Sequence, residues 1–157
     1  MHFWYRKLAV AAGIVMVTTR PVMARDDVMH MAFQDVLNSP PAKERLDGTV
    51  RFYLAGAKTP KIVKKLNGNV SNLINSDESN QKTNGANKSA DESCQLVAMS
   101  ALLSFQEHAK RLGMNAVVDI ESYYKKITYT SPTEYECHVG ALITSVTLKG
   151  AYAQVAK

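Results

Sequence analysis

Residues 89–118 read SADESCQLVAMSALLSFQEHAKRLGMNAVV. Ser89 followed by Glu92 forms a capping box, in which the Ser89 hydroxyl accepts from the Glu92 backbone N–H and Glu92 reaches back to Ser89. Asp91 and Glu92 also stand where the helix dipole favours negative charge. Apolar or small residues then recur at Cys94, Val97, Ala98, Ala101, Leu102, Phe105, Ala109 and Leu112, one stripe along a helix. Lys110 and Arg111 fall in the last turn and Gly113 supplies a left-handed C-cap. The stretch predicts a helix over about residues 90–112 with one buried face. From 115 to 125 the period changes to two: Ala116, Val118, Ile120 and Tyr124 face one way, and Asp119, Glu121, Tyr123 and Lys125 the other. That is a half-buried strand.

Upstream, residues 49–55 (TVRFYLA) alternate as a second strand, with Val50, Phe52 and Leu54 on one side. After a turn at 56–60, KIVKKL (61–66) reads as a strand paired with it. Residues 67–88 hold seven asparagines and too little apolar surface for a core element, so they read as a polar loop. Downstream, 126–133 is a connection containing Pro132, and 135–148 is a long β-rich segment with Gly140 as a bulge or kink. Gly150 breaks this segment before a short tail. The order implies an α+β fold, β-β-α-β-β, with one long helix packed on a mainly antiparallel sheet. A single domain would span 49–157, preceded at 25–48 by a loosely packed arm. In that arm Val28, Met31, Phe33 and Val36 fit a helical turn or two, which Pro40 and Pro41 stop.

The first 24 residues have the pattern of a secretory leader. Arg6 and Lys7 precede an apolar run, LAVAAGIVMV (8–17), and Val22 and Ala24 fit a signal-peptidase site. Ten apolar residues fall short of the roughly 20 that a spanning helix needs. The expectation is cleavage after Ala24 and a periplasmic product with no membrane span; residue 25 is Arg, so the cut leaves no cysteine for lipidation. The leader also carries much of the net charge of +5: from residue 25 onward, 16 Lys+Arg meet 14 Asp+Glu, leaving +2. A nucleic-acid partner would require a concentrated basic face, and this balance argues against one.

Several blocks carry a family likeness: KTNGANKS (82–89), SALLSFQEHAKRLGMNAVV (100–118), SYYKK (122–126), and EYEC (134–137) leading to LKG (148–150). Across about 82–150 the chain resembles a family of small exported bacterial proteins of unknown role, whose members often carry a label naming an excinuclease ATPase subunit. More distantly, the run of helix, Leu-Gly, Asn-Ala-Val-Val and strand is similar to YbjQ-type domains, sometimes called heavy-metal-binding, and to the periplasmic domain of RcsF-like envelope-stress sensors. This second likeness implies a β-α-β-β core and, since YbjQ-like relatives assemble as rings, a homo-oligomer. ATPase activity does not follow from the label. It needs a loop of the form G-x-x-x-x-G-K-[ST] to cradle phosphates, and the chain contains none.

Cys94 and Cys137 are the only cysteines. In an oxidising compartment an isolated pair becomes a disulfide, and closing a loop of 43 residues' separation would stabilise the fold by roughly 3–4 kcal/mol. Two buried free thiols or a thiol-based metal or redox site are the alternatives; the chain has no C-x-x-C. Met29-His30-Met31 is a soft-ligand cluster of a kind that Cu(I) uses, and equally a set of packing residues. His108 stands near the helix end, and His138 follows Cys137 on opposite faces of a strand. Ser104, His108, Asp119, Glu121, Glu134 and Glu136 could serve acid–base or nucleophilic chemistry, but no local motif gathers them. Tyr53, Tyr123, Tyr129 and Tyr135 could form an aromatic patch for a protein, glycan or peptide, or simply stack across strands. These readings lead to an expected non-catalytic binding or assembly module in envelope maintenance or stress. It would need no cofactor and engage a protein or other envelope component. A periplasmic metal-binding protein is the alternative.

Overall fold

The computed structural model describes residues 26–66, 77–84 and 88–157. The stretch 1–24, expected to be a leader, lies outside them, as do 67–76 and 85–87 of the expected polar loop. In chain order the elements are β1 (Asp26–Ala32), α1 (Phe33–Asn38), α2 (Pro40–Arg45), β2 (Arg51–Leu54), β3 (Ile62–Leu66), β4 (Asp77–Asn84), α3 (Ala90–Arg111), β5 (Ala116–Ser122), a 3-10 turn (Tyr124–Lys126), β6 (Glu134–Gly140) and β7 (Ile143–Val155). The fold is α+β, with one long helix on a seven-stranded sheet.

Helix α3 starts where its cap dictates: the Ser89 hydroxyl accepts from the Glu92 N–H at 3.1 Å. It ends at Gly113, whose φ of 66° lets the Met114 N–H return to the Ala109 carbonyl at 2.8 Å. Cys94, Val97, Ala98, Ala101, Leu102, Phe105 and Ala109 are all buried, and the helix packs chiefly on β4 and β7. Leu112, at the end of the predicted stripe, is exposed at the C-cap, one residue before the chain turns left-handed at Gly113.

Strand β7 organises the sheet. It meets β6 and then β5 along one edge, and β4 and then β3 along the other, all antiparallel. Gly150 therefore does not break the segment: β7 runs on through the buried Tyr152, Ala153 and Val155. Gly140 closes β6 before a two-residue turn, Ala141 and Leu142. β2 pairs not with β3 but in parallel with β5, and β3 pairs with the end of β7. Part of the polar loop is a strand, since 77–84 lies along β7, where backbone pairing needs no apolar side chains.

Residues 26–45 form an edge strand and two short helices rather than a loosely packed arm. β1 pairs with β6 over its whole length, and Phe33, Val36 and Ala42 enter the core. Pro40 and Pro41 stop α1, which ends at Asn38 with Ser39 held extended before the proline, and they also begin α2. The Ser39 hydroxyl caps the Ala42 N–H at 3.3 Å, and proline tolerates the first turn because its missing N–H has no partner there.

A bulge in β5 corrects the alternation read at 115–125. Register along β7 shifts between Val118 and Glu121, and Asp119 takes a φ of 52°. One extra residue sends Ile120 to the helix side with Val117, while Ala116 and Val118 remain on the other side with Ala153 and Val155.

The link into β2 is tied to the end of α3. Gln106 Oε1 accepts from the Asp47 N–H at 3.1 Å, and Lys110 donates to the Asp47 carboxylate. That Lys110 bond first, then bonds from the Thr49 hydroxyl and N–H, lower the Asp47 pKa from 3.8 to about 2. A carboxyl depressed on folding stabilises the fold above its unfolded pKa, and that contribution fades as pH falls through the folded value near 2. Lys110→Ala should move the Asp47 pKa back up toward 3.8, as followed by carboxyl NMR titration; an unmoved pKa would show that the ammonium is not the cause.

Candidate functional site

The side chains with the most chemistry converge on the sheet face turned away from α3. Along β6, Tyr135 and Cys137 point into the core, so Glu134, Glu136 and His138 point the other way. On β1, His30 stands opposite Glu136 and Val28 opposite His138. His30 Nε2 lies 3.6 Å from Glu136 Oε1, and His138 Nε2 lies 3.9 Å from Glu136 Oε2. One carboxylate is thus flanked by two imidazoles, each at a different oxygen.

The segment 123–133 crosses this face. The Ser122 and Tyr129 backbones exchange two hydrogen bonds, at 3.0 and 2.9 Å, and the Tyr123 N–H donates to the Thr147 carbonyl at 2.8 Å. Tyr124 stacks on His138 with ring centroids 3.5 Å apart, and Tyr129 stacks on His30 at 4.5 Å. The Ser122 hydroxyl accepts from the Glu136 N–H at 2.8 Å, and the Tyr129 hydroxyl donates to Glu134 at 3.3 Å. Desolvation raises the Tyr129 pKa above 10.0, helped by the charges of Glu134 and Glu136 and opposed by a bond to Ser131. At the far side, Lys149 lies 4.4 Å from the Tyr123 ring centroid, 3.1 Å from Glu121 and 2.9 Å from Thr128 Oγ1.

The arrangement presents aromatic and polar edges, with the imidazoles of His30 and His138 each covered by a tyrosine ring and placed beside the Glu136 carboxylate. Among the described residues no three His, Cys, Asp or Glu side chains are grouped so as to hold a metal ion. Nor can Met29-His30-Met31 act as one ligand set: Met29 and Met31 pack against the core, while His30 faces the other side.

The remaining candidates are dispersed. Asp119 pairs with Lys65 on β3. Glu121 meets Lys149 and accepts from Thr130 at 2.7 Å. His108 lies 6.3 Å from Tyr152 between ring centroids, with Nδ1 3.3 Å from the Ser104 carbonyl one turn earlier. The four tyrosines do not form one patch. Tyr135 is wholly buried against Phe33, Tyr53 packs beside Ala116 and Val118, and only Tyr123 and Tyr129 belong to the crossing segment. Burial first, and then the charges of Asp35 and Asp91, push the Tyr135 pKa far above 10.0. Of the described grooves, the one between 39–41 and α3 and the one beside β2 bring no acid and histidine together.

Cys94 and Cys137 are joined in a disulfide, with Cα atoms 5.8 Å apart and both residues fully buried. It ties the first turn of α3 to the middle of β6, directly beneath the histidine face. No helix among the described residues is long and apolar enough to cross a membrane. No protein-family model, curated protein or solved structure matches the chain.

Proposed function

We propose that the chain is an exported binding or assembly module of the bacterial envelope, periplasmic after removal of residues 1–24 and without catalysis of its own. Its working surface is the helix-free sheet face. One observation carries this reading. His30, His138, Glu134, Glu136, Tyr124 and Tyr129 engage one another in stacked and hydrogen-bonded pairs across that face. Such mutual engagement pre-forms a surface for recognition, where side chains serving a reaction would converge on a substrate-sized cleft. The buried Cys94–Cys137 bond supports export, because disulfides persist in oxidising compartments and are rare in the cytosol.

Fractionation of producing cells, with intact mass measured under non-reducing conditions, tests the address. The expected species begins at Arg25, carries the disulfide and leaves with the periplasmic fraction. Full-length, reduced protein in the cytosol would overturn the proposal. Cross-linking in that fraction, repeated with His30→Ala and Glu136→Ala, should yield an adduct that both substitutions weaken.

A further inference from the structure

The crossing segment presents a tip. Lys125, Lys126, Ile127 and Thr128 are exposed, Ile127 at 71%, and no acidic residue occurs from 123 to 133. The tip is held in shape. Lys125 and Lys126 both adopt left-handed backbone, at φ 49° and 66°, a conformation that non-glycine residues keep only where the surroundings impose it. The Ile127 N–H donates to the Tyr124 carbonyl at 2.9 Å, and Tyr124 is anchored by its stack on His138. Lys125 Nζ lies 4.9 Å from the Tyr124 ring centroid. An exposed aliphatic side chain therefore follows directly on two exposed lysines, with the half-buried Tyr123 and Tyr124 preceding them.

We propose that this tip docks the protein reversibly on an anionic phospholipid surface, with Ile127 entering the boundary between headgroups and acyl chains. Lys125 and Lys126 meet the phosphates, and Tyr123 and Tyr124 take the headgroup level, where amphipathic rings are favoured. The charge favours lipid over nucleic acid, because the tip brings two lysines and no acid together, while the chain from residue 25 onward is nearly balanced and offers no concentrated basic face. Each lysine brought to such a surface strengthens binding roughly fivefold, so the docking is weak and reversible. The same sheet face offers further apolar contact. By register, Val28 and Ile143 share it with His138 and are 51% and 54% exposed, and Lys82 lines a groove with Leu142 and Ile143. This names the partner within the proposed function and rests on that reading for its biological setting.

The test is sedimentation of the processed, disulfide-bonded protein beginning at Arg25 with phosphatidylcholine vesicles, with and without phosphatidylglycerol. Lys125→Glu/Lys126→Glu and Ile127→Asp are compared with Val63→Asp. Val63 is the control because it is 67% exposed on lysine-rich β3, where Lys65 is already paired with Asp119. All variants begin at Arg25, so the basic, apolar stretch 1–24 contributes nothing to partition. The expected result is partition that requires phosphatidylglycerol and falls roughly tenfold or more in both tip variants, with Val63→Asp within about twofold of the parent. Near-ultraviolet circular dichroism confirms that the variants remain folded. Equal partition on both vesicle types, tip variants that bind as the parent does, or an equal loss in Val63→Asp would each overturn the proposal. A negative result leaves export standing, and recovery of the chain from the cytosol would not alter the vesicle result.

Discussion

Replacing both Cys94 and Cys137 with alanine is expected to lower unfolding stability by about 4 kcal/mol, measured by urea denaturation of the oxidised parent and the double variant. The bond closes a loop between positions 43 residues apart, and the chain-entropy model gives about that value for a loop of this size. Alanine is preferred to serine because both sites are fully buried, and a stranded hydroxyl would add its own desolvation cost. The urea dependence should also steepen, because an unfolded chain freed of its cross-link exposes more surface. A domain of this size is stable by roughly 5–15 kcal/mol, so the uncross-linked protein would lose between about a quarter and four fifths of its stability. A loss below about 1 kcal/mol would show that the helix and β6 are held together without the staple.

The bond's place in the fold connects it to the surface above. Cys137 lies between Glu136 and His138 on β6, with its side chain on the opposite face of the strand. The disulfide locks this short stretch to α3 from below, and the stacks with Tyr124 and Tyr129 hold it from above. Loss of the staple should therefore loosen the candidate surface as well as the core.

What could be read in advance follows from the range of each interaction. The helix over 90–111 is specified locally: Ser89, the apolar stripe and Gly113 agree within one stretch. The start of α2 is equally local, and Ser39-Pro40-Pro41 carries its signal, a capping hydroxyl followed by proline at the first helical positions. The partners of β2 and β3 are not local, because a strand's own alternation says which face is buried but not which edge meets which neighbour. β4 has a polar sequence and is recruited by the free edge of β7, so apolar patterning could not reveal it. The candidate site assembles His30 with residues 124–138 through the β1–β6 pairing, which no short motif encodes. One part was nevertheless legible: strict alternation in Met29-His30-Met31 places the histidine opposite the methionines once the stretch is a strand.

Gly150→Ala is expected to destabilise the fold by about 1–3 kcal/mol, although glycine within a strand is ordinarily a weakness that alanine improves. The reason is the bulge facing it. Val118 pairs with Ala151 and Glu121 with Lys149, so two residues of β5 confront the single Gly150. A Cβ on residue 150 would lie 2.8 Å from Val117 Cγ1, 3.1 Å from Ile120 Cγ1 and 3.4 Å from the Val118 carbonyl oxygen. Val117 and Ile120 are fully buried and β-branched, so neither can swing aside cheaply. Val117→Ala removes the nearest methyl group. In the Gly150→Ala background it should cost at least about 1 kcal/mol less than in the parent, a coupling that denaturant unfolding of the four proteins in the cycle measures directly. If Gly150→Ala proves neutral and the two substitutions simply add, β5 can shift away from β7 at Asp119, and the bulge is not the rigid feature that carries Ile120 into the core.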